Sequence, residues 1–153
     1  MTPGAEAAWF ALRLKRDFFT DRTRVLLELV AEGWLIYEGA WKGRAAYFRV
    51  DIDRLDAAHL PRELKARLVE RQAFSCYEID DLLLGHFEDL HSLWKRDLLD
   101  LGLIAEGFGW YIAKCVANSA ICRYIEDEQK ASPGVWGGVL ALREALVGEP
   151  GSR

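Results

Sequence analysis

The chain has 153 residues, 51% of them hydrophobic, with 20 basic and 24 acidic side chains for a net charge of −4. That length and composition suit one compact domain, or two very small ones, with a buried core, and exclude a disordered or fibrous chain. The net negative charge excludes a global attraction to nucleic acid or to an anionic membrane, so any DNA contact has to come from local patches.

The charge is uneven: residues 1–50 hold 8 basic and 6 acidic side chains (+2), and residues 51–153 hold 12 and 18 (−6). Six Trp, five Tyr and seven Phe exceed what a core of this size needs and leave rings for a groove or a partner surface. Cys76, Cys115 and Cys122 are odd in number and lack CxxC spacing, the pattern of free, mostly buried thiols in a reducing cytoplasm. The start, MTPGAEAAWFALRLKRDFF, places basic residues after apolar ones, against the order of a signal peptide. The most apolar later run, 101–121, is interrupted by Glu106, Lys114 and Asn118, so no membrane span is expected.

In chain order, residues 5–16 read as a helix or extended lead-in with Trp9, Phe10, Leu12 and Leu14 apolar. A second helix starts near Thr20, buries Val25, Leu26, Leu29 and Val30 on one face, and stops at Gly33. Trp34–Tyr37, a turn over Gly39–Arg44, and Ala45–Ile52 form a β-hairpin, with continuation as helix the alternative for Trp34–Trp41. Residues 55–72 form a surface helix with Pro61 near its start and Arg62, Lys65, Arg67 and Arg71 exposed. Ile79–Leu101 reads as two helices parted near Gly85–Asp89, ended by Gly102. Leu103 and Ile104 then enter a strand, Gly107 and Gly109 turn, and Trp110–Ile112 return. A helix over 113–130, a Gly/Pro break at 132–138, a last helix at about 139–147 and a frayed GEPGSR end the chain.

GWLIYEG at 33–39 and GLIAEG at 102–107 are near echoes, with Leu35, Ile36, Glu38 and Gly39 matching Leu103, Ile104, Glu106 and Gly107 at an offset of 68. Each closes a Leu-rich helix, the order that a winged helix needs: helix, left-handed residue, apolar strand, turn, aromatic return strand. The same punctuation also occurs in mixed domains of other kinds. The expected class is therefore α+β, mainly α, with winged-helix-like helices and short antiparallel hairpins. Residues 1–131 form a single compact domain, or two tandem units of about 5–54 and 55–131, and Leu29, Val30, Ile36, Leu90, Trp94, Leu98 and Ile104 are core.

WFALRLKRDFFTD, residues 9–21, resembles the opening of the N-terminal domain of phage replisome organisers, the DnaD-like group, with Trp9, Leu12, Leu14, Asp17, Phe18 and Phe19 at the matching positions. IDDLLLGHFEDLHSLWKRDLLDLGLIAEG is similar to that domain's closing helices and wing. The resemblance implies a winged-helix fold and binding to origin DNA or to replication partners, as in a phage or mobile-element accessory of replication or transcription.

For duplex DNA, His91, Ser92, Lys95 and Arg96 lie off the apolar face of the later helix and suit base edges or phosphates. Lys42 and Arg44 flank the first wing, and Arg13, Lys15, Arg16, Arg22 and Arg24 extend the basic surface. A solvated face balanced by acids such as Asp97 and Asp100 is the commoner use of such residues. No catalytic constellation is expected: His86 and His91 are five apart, where four would align them for a metal, Cys76 has no His at motif distance, and GVWGG lacks the Lys of a phosphate loop. Neither an enzymatic role nor a metal or cofactor is expected. The rival reading is a small acidic inhibitor or adaptor that binds a protein target, of phage anti-defence or immunity type, supported by the acidic C-terminal two thirds and the surplus of rings. A homodimer is compatible with either.

Overall fold

A computed structural model describes residues 2–149. Helix α1, Pro3–Phe18, starts where Thr2 accepts the Ala5 amide on its hydroxyl at 3.2 Å and Pro3 supplies a preset φ. Helix α2, Asp21–Ala31, begins at the expected Thr20, whose hydroxyl accepts from the Thr23 amide. It ends at Gly33, φ 73°, with the Trp34 amide returning to the Leu29 carbonyl and the Gly33 amide to that of Val30. This paired closure needs a left-handed residue, which glycine supplies without a Cβ penalty.

The hairpin forms as read: β1, Leu35–Glu38, pairs antiparallel with β2, Tyr47–Val50, in the register Leu35↔Val50 and Tyr37↔Phe48. Strand geometry settles the helical alternative for Trp34–Trp41, because Leu35, Tyr37, Phe48 and Val50 alternate into the core. Ile36, expected in the core, lies on the other side of this alternation and is only half-buried.

The single helix expected over 55–72 is two. Helix α3, Ile52–Ala57, stops before His59, φ 51°, and α4, Arg62–Val69, restarts after Pro61, since a residue preceding proline is pushed out of the helical region. A third strand, β3, Ala73–Ser75, was not anticipated because it is three residues long; it pairs with β2 and completes a sheet ordered β1-β2-β3.

Ser75 then opens a capping box with Glu78 at the start of α5, Cys76–Ile79. A π-turn at Asp80–Leu84 and α6, Gly85–Lys95, continue it without the break expected near Gly85–Asp89. Gly85 serves the π-turn instead: a Cβ there would stand 2.7 Å from the Asp80 carbonyl oxygen.

The second echo differs most from the sequence reading. Helix α6 closes as α2 does, with the Leu98 amide on the Leu93 carbonyl and the Asp97 amide on that of Trp94, but the left-handed residue is Asp97, φ 57°, five positions before Gly102. Leu98, expected in the core, therefore lies past the helix end and is 52% exposed, while Trp94 is partly buried. Asp100 next accepts the Gly102 amide at 2.7 Å and caps α7, Leu101–Ala117. Leu101, Ile104, Ala105, Phe108, Ile112 and Cys115 recur at helical spacing and pack inward, which outweighs the roughly 1 kcal/mol that each interior glycine costs a helix. The expected strands at 103–104 and 110–112 and the turn at 107–109 are therefore helix, and no strand follows Gly102 among the described residues. The molecule is α+β and mainly α, with one three-stranded antiparallel sheet and, among the described residues, one hairpin in place of the two expected.

Helix α8, Ser119–Ala131, turns from α7 at the buried Asn118, which accepts the Ile121 amide and donates its Nδ2 to the Val30 carbonyl at 2.9 Å, tying this corner to the end of α2. After Pro133, α9, Gly137–Leu146, packs on α6 and α7 with Val139, Leu142 and Leu146 fully buried. Its first turn is held by Glu88, which accepts the Val139 amide at 2.8 Å. Of the tail expected to fray, Gly148 and Glu149 follow α9 and Pro150–Arg153 lie outside the described residues.

Candidate nucleic-acid interface

Two side-by-side clefts run along α2. The larger, about 570 Å³, lies between α2 and the α4–β3 segment and is lined by Arg22, Arg24, Arg67 and Arg71, by Val25 and Phe74, and by Asp21 and Glu70. The second, about 360 Å³, lies between α2 and α7 and adds the rings of Phe19, Trp110 and Tyr111 and the carboxylates of Glu28 and Glu32. Arg24 and Arg67 line both, so the two form one groove along which four guanidinium groups, four carboxylates (Asp21, Glu28, Glu32 and Glu70) and several rings alternate.

The arginines are held differently. Glu78, fixed by its place in the capping box, binds Arg22 at 3.0 Å and both amino groups of Arg71, one of them at 2.6 Å. Burial works against its charge, but the bonds from Arg71, the Ser75 amide and Arg22 outweigh this and hold its carboxyl below the usual range. The Arg71 guanidinium is held charged by the same pair and lies 5.1 Å from the centre of the Phe74 ring. Arg24 donates to the Phe19 carbonyl at 3.3 Å and sits 5.4 Å from the Phe19 ring. Neither Arg24 nor Arg67 is within ion-pair distance of a carboxylate among the described residues, so both offer their charge to an incoming anion.

Of the residues singled out from sequence, Arg22 and Arg24 line this groove and the others do not. Arg13, Lys15 and Arg16 are exposed on α1, where Lys15 lies 5.9 Å from the Phe19 ring and Arg16 approaches Asp17 at 3.9 Å. Lys42, at φ 44°, and Arg44 form the hairpin tip beside Trp41 and Tyr47, with Arg44 donating to the Gly39 carbonyl. On α6, Ser92 and Lys95 are exposed, with Lys95 over the Trp94 ring, and Arg96 is exposed at the helix C-cap. His91 faces α9 instead, close enough that a Cβ on Gly138 would lie 2.9 Å from its Nδ1. Arg67, Arg71, Phe74 and Trp110 are not among the candidates that the sequence singles out. The i,i+4 spacing of Arg67 and Arg71 was visible, but their convergence with α2 depends on the tertiary fold.

A second polar constellation lies where the π-turn meets α8. The Tyr124 hydroxyl is 2.6 Å from Asp80 Oδ1 and 2.7 Å from Glu128 Oε1, and since it has one proton it donates to one carboxylate at a time. Burial raises the Asp80 carboxyl above its usual range, against the Tyr124 bond and with help from the Glu128 charge. Beside it, Tyr37 donates to Asp127 at 2.9 Å, and the Cys76 thiol, pushed up to about 11 by burial and then by Asp80 and Glu128, donates to the Ala46 carbonyl. All three cysteines are free, and burial alone pushes Cys115 up to about 12. Among the described residues no group of three or more His, Cys, Asp or Glu side chains is placed to hold a metal ion. No described helix is long and apolar enough to cross a membrane.

Comparison with known families, with curated proteins and with solved structures returns no match for this chain.

Proposed function

We propose that the protein binds nucleic acid, duplex DNA in the first instance, through the arginine groove along α2, as an accessory of replication or transcription of the phage or mobile-element type. The observation that carries this reading is the convergence of Arg22, Arg24, Arg67 and Arg71 on one groove, two of them without a carboxylate partner among the described residues. A planar guanidinium donates two parallel hydrogen bonds to a phosphate, and rings beside a cationic groove add base or sugar contacts. The tip of the β1–β2 hairpin, with exposed Trp41, Lys42 and Arg44, would give a further backbone contact in the manner of a wing. Affinity is expected to be modest, because the protein as a whole is negative and Asp21, Glu28, Glu32 and Glu70 line the same groove as the four arginines.

The test is a titration of duplex and single-stranded DNA at several salt concentrations. Wild type is expected to bind at low salt, with log K falling by about 0.9 per contacted phosphate for each unit of log salt. Arg24→Ala/Arg67→Ala is expected to flatten that slope by nearly two units, and Lys95→Ala/Arg96→Ala to leave it unchanged. Absence of binding at low salt, where attraction is least screened, removes the reading. The protein-binding inhibitor or adaptor then leads, favoured by the cleft that Asp80, Asp81 and Asp89 line beside Tyr77, which is 76% exposed.

A further inference from the structure

Helix α1 is held to the rest of the protein mainly by α7, through a face that carries Ala11, Leu14 and Phe18. At 100° per residue, Trp9 and Leu12 project roughly 160° away from that face. They are 56% and 61% exposed, Ala5 continues their stripe at the i, i+4, i+7 spacing, and Arg16 closes it at i+11. Two large apolar side chains in line on a helix already anchored by its other face form a surface that a partner helix can cover. Its margins carry a pattern of their own. Glu6 and Arg13, seven residues apart, lie along one margin, and Ala8 and Lys15, also seven apart, along the other. Neither Glu6 nor Arg13 pairs with an opposite charge among the described residues.

We infer that α1 is a dimerisation helix that pairs antiparallel with α1 of a second copy of this chain. Around a two-fold axis passing between Trp9 and Leu12, equivalent margins meet, so Glu6 faces the partner's Arg13 and Arg13 faces the partner's Glu6. Trp9 packs against the partner's Leu12, and the small Ala5 and Ala8 let the two backbones approach. A parallel pair would instead bring opposite margins together and set Arg13 beside the partner's Lys15, two like charges. The margin charges therefore complement a second copy in one orientation.

Sedimentation equilibrium of the full chain from micromolar to millimolar concentration tests this. Wild type is expected to show a reversible monomer–dimer equilibrium, and Trp9→Ala/Leu12→Ala to raise the dissociation constant by at least about a hundredfold. Because both side chains are exposed in the monomer, the thermal midpoint of dilute protein should be unchanged, which separates lost pairing from lost folding. Glu6→Arg and Arg13→Glu are each expected to weaken the dimer about threefold to tenfold, and the double reversal to restore it. Wild type that stays monomeric throughout overturns the inference, even if the stripe then captures vesicles or another protein. A dimer indifferent to the apolar pair, or one that the double reversal does not restore, overturns it equally.

Discussion

Replacing Asn118 should separate what holds the corner between α7 and α8 from what ties it to α2. The side chain is 8% exposed and makes two contacts: its Oδ1 accepts the Ile121 amide at 3.0 Å as the cap of α8, and its Nδ2 donates to the Val30 carbonyl at 2.9 Å. Asn118→Ala removes both. The lost cap costs about 1 kcal/mol. The lost bond to Val30 costs about 1 kcal/mol rather than the larger penalty of an orphaned carbonyl, because that oxygen still accepts the Gly33 amide at 3.2 Å. The sum is about 2 kcal/mol, or roughly 4–8 °C in thermal midpoint for a chain of this length. Asn118→Ser keeps an oxygen for the cap but is too short to reach Val30, so it should lose about 1 kcal/mol. Urea unfolding read by Trp fluorescence and far-UV dichroism supplies both values if the slope m is unchanged. A loss below about 0.5 kcal/mol for the alanine variant, or equal losses for the two variants, would refute the division into cap and tie.

Asp80→Asn should leave stability unchanged in acid and raise it near neutrality. The folded Asp80 carboxyl is shifted upward, so its contribution is fully present below the unfolded carboxylate value of about 4 and is lost as pH rises through the folded value; an amide has no such loss. Unfolding curves across that range that stay parallel for the two proteins would contradict this. Gly138→Ala would drive a Cβ into the Glu88 carboxylate and to 2.9 Å from His91 Nδ1, displacing Glu88 from the Val139 amide, and a loss of about 1–2 kcal/mol is expected in thermal unfolding. A neutral outcome would show that Glu88 is dispensable to α9. Cys76, with its thiol pushed up to about 11, should label slowly with a disulfide reagent at neutral pH and faster as pH rises, and rapid neutral labelling of the folded protein would contradict that environment.

The N-terminal half was legible because each of its signals is local. Thr20 caps, Gly33 provides the left-handed closure, and the apolar positions of α2 and the hairpin keep the 3.6 and 2.0 periods of their elements. The later echo shares the letters but not the neighbours. In the first copy Gly33 follows directly on a finished helix and the next residues pair with a strand. In the second, Asp97 has already ended α6, Asp100 caps a new helix, and Leu101, Ile104, Phe108 and Ile112 hold α7 helical through packing that no short window contains. Sequence by itself thus determined the mainly helical α+β class, the extent of α2 and the three free thiols, while the choice between hairpin and helix after Gly33 fell to the pairing of β1 with β2. Tertiary structure decided which glycines bend the chain and which lie inside a helix, because burial against α2, α6 and α9 outweighs the glycine cost. It also decided the groove: Arg22 and Arg24 lie more than forty residues from Arg67 and Arg71 in the chain. Only the packing of α2 beside α4, with Glu78 holding an arginine from each side, brings those charges together.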